Sequence, residues 1–273
     1  MLRLRIATAL VLGSIVIAVL LSGNNLYFLL FLSVCMLAGS WEWSRLCTCR
    51  SVVLRMLYTV CMTSGLLLLL VAGPASLAYW VVLTGVVWWC LALVMILCYQ
   101  AGIQDIFFSN QLKYLMGVLV LIPSFTSLYY LYDYEQGHVL VLVLFLLIWL
   151  ADSAAYFAGK AYGSIRLAER VSPGKTVEGF IAGMVAAAGM AVLYGYQEHA
   201  SINHILLLAI LFLLTTLFSV VGDLFESMMK RECNLKDSSH LLPGHGGVLD
   251  RIDSLTAASP VFVLGILLIE GRA

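Results

Sequence analysis

The sequence predicts an all-α, polytopic integral membrane protein with about nine transmembrane helices and its N-terminus in the cytoplasm. Three observations predict it. Of 273 residues, 62% are hydrophobic and 11% charged, with a mean hydropathy of +1.01; a soluble domain carries about twice that charged fraction. Apolar runs near the length of a hydrocarbon core recur from end to end. Finally, Lys and Arg are confined to alternate connecting segments.

The expected spans are about 6–21, 26–41, 57–73, 77–99, 114–132, 139–159, 179–196, 204–226 and 255–270. The first run has no A-x-A-like exit and is followed by further spans, so it reads as a membrane helix and not a cleaved signal. With the N-terminus inside, Arg3, Arg5, Arg45, Arg50, Arg55, Lys113, Lys160, Arg166, Arg170, Lys175, Lys230, Arg231, Lys236 and Arg251 fall on one side. Only Arg272 falls opposite, and the outer loops "SGNN", "GPAS", "YDYEQGH" and "QEHASIN" hold no Lys or Arg. This is the positive-inside bias, and a shift by one span would scramble it. The chain reads as a single membrane domain (1–273), in which 1–148 are scaffold helices and 149–253 form a catalytic region. That region carries cytoplasmic loops 160–178 and 227–253, and 255–270 is the last span. Segment 100–113 is expected to lie at the interface. The six Trp residues are expected in interface belts or in packing. Seven Cys without a C-x-x-C pairing read as reduced thiols, the C-T-C at 47–49 included. The formal net charge is zero and no nucleic-acid partner is expected.

The polar residues are concentrated in 223–253. Asp223, Ser227 and Lys230 are spaced to share one helix face, and an ionisable group in a span is costly and usually functional. Gly246 and Gly247, lacking a Cβ, allow backbone N–H groups to approach an anion. Lys230, Arg231, Lys236 and Arg251 offer positive charge to phosphates. Asp223, Asp237, Asp250 and Asp253 offer hard oxygen ligands of the kind Mg²⁺ requires. Asp250 and Asp253 share a face if the last helix begins there. Basic groups, a glycine turn and several carboxylates together describe a metal-assisted phosphoryl- or nucleotidyl-transfer site.

A second cluster lies in 149–183. Asp152, Tyr156 and Lys160 form a stripe at the end of the sixth span. Ala151, Ala155, Gly159 and Gly163, with G-x-x-x-G at Gly179 and Gly183, are small residues expected to allow close helix packing. "SPGKT" is not a P-loop, because Glu169 stands where the pattern needs Gly. Asp152, Lys175 and Thr176 remain candidates for nucleotide or lipid-phosphate contact.

Residues 227–253 resemble the signature of the CDP-diacylglycerol synthases, also called phosphatidate cytidylyltransferases. That signature reads S-x-hydrophobic-K-R-x₄-K-D-x-small-x₂-L-P-x-H-G-G-hydrophobic-x-D-R-hydrophobic-D. Ser227, Met229, Lys230, Arg231, Lys236, Asp237, Ser239, Leu242, Pro243, His245, Gly246, Gly247, Val248, Asp250, Arg251, Ile252 and Asp253 fill its positions. The segments "ADSAAYFAGKAYG" and "SPGKTVEGFIAG" are similar to family segments as well. The resemblance implies the reaction CTP + phosphatidate → CDP-diacylglycerol + pyrophosphate, for phospholipid biosynthesis, in a helical membrane homodimer. It implies Mg²⁺ held by Asp223 and Asp250, with K⁺ beside it. On this reading Lys230, Arg231, Lys236 and Arg251 hold the phosphates, with Asp237 beside them. His245, Gly246 and Gly247 form the turn against a phosphate, Asp253 orients Arg251 or assists the metal, and Ser227 contacts substrate. A CTP-dependent enzyme acting on another lipid phosphate or lipid alcohol, and an ion-coupled transporter, are the alternatives. The compact length points to a bacterial inner membrane, with the site facing the cytoplasm.

Overall fold

The computed structural model describes residues 2–48, 51–103 and 109–271, the side chains of residues 2–7 and 75 excepted. Within them run α1 (Leu2–Leu21), α2 (Asn25–Leu46), α3 (Val52–Ala72), α4 (Ala75–Gln100), α5 (Asn110–Tyr132) and α6 (Gly137–Tyr162). A short hairpin follows, β1 (Arg166–Ala168) and β2 (Ser172–Thr176), then α7 (Val177–Gln197), α8 (Ile202–Glu232) and α9 (Leu249–Ile269). Among the described residues, eight helices are long and apolar enough to cross a membrane, and α1 adds a shorter apolar stretch, Thr8–Leu21. The expected interfacial segment 100–113 and the C-T-C motif lie partly outside the described residues.

Among the described residues, this two-stranded hairpin departs from all-α. Segment 160–178 was expected as a loop, yet Arg166 pairs with Thr176 and Ala168 with Ser172 in antiparallel register. Backbone groups that leave α6 find partners in each other there. Gln100 Oε1 accepts from the Arg170 N–H at 3.3 Å, and Val171 O accepts from Arg231 Nε at 3.4 Å, which ties the hairpin to α4 and α8.

Several helices also outrun their apolar cores, all at the same end of the bundle. Helix α2 continues from 41 to Leu46, α8 from 226 to Glu232, and α9 begins at Leu249 instead of 255. The described Lys and Arg side chains also lie at this end, where Glu226 and Asp250 on these extensions pair with Lys230.

Just beneath it, Phe225 of α8 is buried against Trp43, Trp88 and Trp89, with ring centroids 6.5, 5.7 and 5.7 Å away. The indole N–H groups of Trp43 and Trp89 donate to Lys113 O (2.8 Å) and Thr256 O (3.0 Å). One aromatic cluster therefore fixes α2, α4, α5, α8 and α9 under the polar end. The small-residue stripe works as expected: a Cβ on Gly179 would lie 2.6 Å from Ala155 O, and one on Gly183 would lie 3.1 Å from Ala151 O. Close approach of α6 and α7 brings Asp152 beside β2.

Candidate active site

Helix α8 runs unbroken through Asp223 to Glu232. Ser227 Oγ donates to Asp223 Oδ1 at 3.3 Å, one turn on. Asp223 Oδ2 lies 2.7 Å from Lys175 Nζ at the end of β2. Asp152 has Lys175 and Asp223 as its charged neighbours. These three groups, with Lys160, line a cavity of about 380 Å³ between α6, α7, α8 and the hairpin.

A second charged group lies where α8 meets α9. Lys230 is 9% exposed, with its Nζ 2.7 Å from Asp250 Oδ1 and 3.2 Å from Glu226 Oε1. Apart from that ion pair, neither oxygen of the buried Glu226 carboxylate receives a hydrogen bond. Asp253 is one turn beyond Asp250 on α9, and its Oδ1 accepts from Ser254 N at 2.8 Å. Its charged neighbours include Glu226 and Lys230 on one side and Asp223 and Lys175 on the other, so it links the two groups. Gly222 makes this junction possible, because a Cβ there would strike the Asp253 carbonyl oxygen and lie 3.0 Å from Ala257.

The signature loop places its glycines differently from the sequence reading. The Gly247 N–H does approach an anion, but that anion is the Asp250 carboxylate, at 2.8 Å. Asp250 Oδ2 accepts as well from Ser238 N (3.0 Å) and Ser238 Oγ (2.9 Å), so four donors engage this one side chain. Gly246 has φ +85°, and a Cβ there would lie 2.8 Å from Asp250 Oδ2. A Cβ on Gly247 would strike Ser238 Oγ and lie 2.5 Å from Glu42 Oε2. These glycines make room for carboxylates of the chain itself.

Glu42 is the residue that sequence reasoning missed. It is fully buried on α2, and its Oε1 accepts from Ser239 Oγ (2.5 Å) and Val248 N (3.0 Å). Its Oε2 accepts from Ser238 Oγ (3.0 Å) and Leu249 N (2.7 Å). The N-cap Val248 offers α9 no side-chain cap, so Glu42 takes that place from far away in sequence. The signal was present, an acid between Trp41 and Trp43 at the end of an apolar run, but the expected span stopped one residue short of it.

The remaining candidates are distributed around this centre. Thr176 is buried and caps α7, its Oγ1 accepting from Gly179 N at 3.2 Å, which gives it a structural role. His245 Nδ1 contacts Thr8 Oγ1 of α1. Arg251 Nε donates to His245 O at 3.2 Å, so Arg251 is held by the turn and no contact to Asp253 is seen. Arg231, Lys236, Asp237 and Arg251 are exposed on the loop face. Cys233 Sγ donates to Leu46 O at 2.9 Å; burial pushes its thiol pKa up against the pull of Lys113, which suits a packing thiol and not a nucleophile.

Among the described residues no three His, Cys, Asp or Glu side chains form a ready-made metal cage. The donor set nevertheless fits a hard cation. Five carboxylates (Asp152, Asp223, Glu226, Asp250 and Asp253) share two ammonium partners, Lys175 and Lys230. Mg²⁺ is commonly held by only one or two carboxylates plus substrate phosphates, which does not need a preformed cage.

A helical membrane bundle whose ionisable groups gather toward one end of α6, α8 and α9, around a cavity, fits an integral membrane enzyme. Ion-coupled transporters place theirs at the bilayer midplane. The chain belongs to the cytidylyltransferase family, whose profile matches residues 3–269. It is 41% identical over 263 residues to the phosphatidate cytidylyltransferase of Pseudomonas aeruginosa, with 96% of each chain covered. It is 36% identical over 280 residues to the Haemophilus influenzae protein of that name, with 96% of this chain and 97% of that one covered. The Bacillus subtilis protein of that name matches at 35% over 175 residues, 62% of this chain.

Proposed function

We propose that the chain transfers the cytidylyl group of CTP to phosphatidate, yielding CDP-diacylglycerol and pyrophosphate. The observation that carries this reading is the cavity of about 380 Å³ between α6, α7, α8 and the hairpin in which Lys175, Asp223 and Asp152 meet. An oxygen of the phosphatidate phosphate bonds to the α-phosphorus of CTP as the bond from that phosphorus to the β-phosphate bridging oxygen breaks, and pyrophosphate leaves in line. A phosphomonoester has its second pKa at about 6, so the attacking oxygen needs no general base at neutral pH. Catalysis then rests on positioning and charge neutralisation.

The residues divide this work by position. Lys175 and Lys160 line the cavity, where a lipid phosphate arrives from the bilayer with its acyl chains still in the membrane. Exposed Arg231, Lys236 and Arg251 face the side from which a nucleotide triphosphate comes. Mg²⁺, when bound, supplies charge neutralisation for the triphosphate. Asp223 and Asp250 would hold it, Asp250 by exchanging one of its four donors, with Asp253 as a neighbouring oxygen source. The resemblance implies K⁺ at the same cluster and a homodimeric assembly. The bias of Lys and Arg to this end supports a cytoplasmic active site, and the relatives are bacterial, which supports the inner membrane.

The test is CTP-dependent conversion of phosphatidate by the detergent-purified chain, with Mg²⁺ and with EDTA, for wild type, Asp223→Asn and Asp250→Asn. Lipid product that disappears with EDTA and in both variants supports the whole reading. Product that survives in Asp250→Asn removes that residue from the metal site. No product, with a verified substrate and a folded protein, overturns the assignment.

A further inference from the structure

Glu42 lies on α2, outside the segments 149–183 and 227–253, and it is not among the residues lining the cavity. Its two oxygens offer about four lone-pair positions, and the Ser238 and Ser239 hydroxyls and the Val248 and Leu249 amides occupy them. The Val248 and Leu249 amides and the Ser239 hydroxyl donate to it, and Ser238 Oγ shares its one proton between Glu42 and Asp250, so the site suits a group that only accepts. Gln in its place would turn two donors toward donors.

The contacts extend beyond α2. Ser238 Oγ carries one proton and lies 3.0 Å from Glu42 Oε2 and 2.9 Å from Asp250 Oδ2. Asp250 holds Lys230, and Lys230 holds Glu226. A chain of contacts therefore runs from α2 through the loop to α9 and into α8. The first amides of α9, which point at Glu42, set where that helix begins and hence where Asp250 and Asp253 project. Gly247 is required at the same place because any Cβ would fill the space between Ser238 and Glu42.

We propose that Glu42 is a positioning residue for the transfer reaction: through Ser238 and the start of α9 it holds Asp250 and Lys230 where the reacting phosphates need them. The proposal rests on the function above for its catalytic half. Its structural half, the hold on the loop, stands separately. Because Glu42 lies away from the cavity, its loss affects turnover more than substrate affinity.

The experiment compares wild type, Glu42→Gln and Glu42→Asp as full-length protein in detergent, measuring kcat, KM for CTP and for phosphatidate, and amide hydrogen exchange. Glu42→Gln is expected to lose about 100-fold in kcat with each KM within about threefold, the scale of an ångström misplacement. Glu42→Asp, which keeps an acceptor-only group, is expected to recover part of that loss. Exchange at 247–249 is expected to speed up while the buried amides of α4 and α5 keep their wild-type rates. Unchanged kcat, a loss confined to KM, or exchange that speeds up uniformly across the chain overturns the proposal. If wild type itself makes no product, the functional reading fails, and the exchange rates at 247–249 still decide whether Glu42 holds the loop.

Discussion

Lys175 and Asp223 meet at 2.7 Å, where the hairpin reaches α8, and both side chains are about a quarter to a third exposed. The pair therefore joins a segment outside the bundle to a helix within it, at the wall of the cavity. An ion pair this accessible contributes roughly 0–1 kcal/mol to stability. Its position carries more weight than its strength, because either partner is available to a phosphate or a cation that displaces the other.

Lys175→Met is accordingly expected to separate stability from activity. The melting temperature in detergent should stay within a few degrees of wild type, in line with a pair worth about 1 kcal/mol or less. CTP-dependent lipid product should fall by about 100-fold, the scale of a lost charge contact in a transfer site. A variant that keeps full activity would remove Lys175 from the site.

The glycine turn gives a prediction of the opposite kind. A Cβ at Gly247 meets Ser238 and Glu42, and one at Gly246 meets Asp250 in a backbone with φ +85°. Gly174, at the hairpin, has nothing within 4 Å of its would-be Cβ. Gly247→Ala and Gly246→Ala should each cost about 1–3 kcal/mol through overpacking or backbone strain, whereas Gly174→Ala should leave the melting curve unmoved. Thermal unfolding of the three purified variants checks this, and equal melting temperatures would refute the tight-turn account.

Lys230 is the cation that Glu226 and Asp250 share, and Glu226 has no hydrogen-bond partner besides that ion pair. Removing it as Lys230→Met leaves Glu226 and Asp250 buried without their cation, and breaking such a pair costs about 3–5 kcal/mol. A second change, Glu226→Gln, should restore part of that stability by removing one of the stranded charges. A double-mutant cycle on melting temperature measures the coupling. Strict additivity would mean that the 3.2 Å contact between Lys230 and Glu226 contributes nothing.

Much of this was legible in the sequence. Apolar runs mark the helices because lipid leaves the backbone few other options, and the charge bias identifies the end that bears the site. The residues of 223–253 announced themselves by composition. What composition did not convey is direction. Gly246 and Gly247 read as a cradle for a substrate anion, yet the anions beside them are Asp250 and Glu42, which arrive from the next helix and from α2. Thr176 read as a phosphate contact, and its hydroxyl caps α7. Helix ends were misplaced where polar residues pair across elements, so that Glu42 and Lys230 continue helices whose apolar runs have already stopped. Long-range partners of this kind leave no periodicity to read.

The gathering of five carboxylates around Lys175 and Lys230, with Lys160 at the cavity wall, leads to the last prediction. Without a cation these like charges repel one another, and a polyanionic nucleotide approaching them is repelled too. A divalent ion that binds the folded state alone should therefore raise its stability, by about 2.7 kcal/mol when present at 100 times its dissociation constant. Melting of the detergent-purified protein, with no substrate present, should shift upward as Mg²⁺ is added and return to its starting point with EDTA. Asp223→Asn removes one carboxylate and should shrink the shift, while Glu198→Gln, exposed at the opposite end of α7, should leave it as in wild type. If Mg²⁺ moves neither wild type nor variants, the cluster does not take the ion on its own, and its affinity comes from the triphosphate. Repeating the titration with CTP present would then show the shift only when both are added.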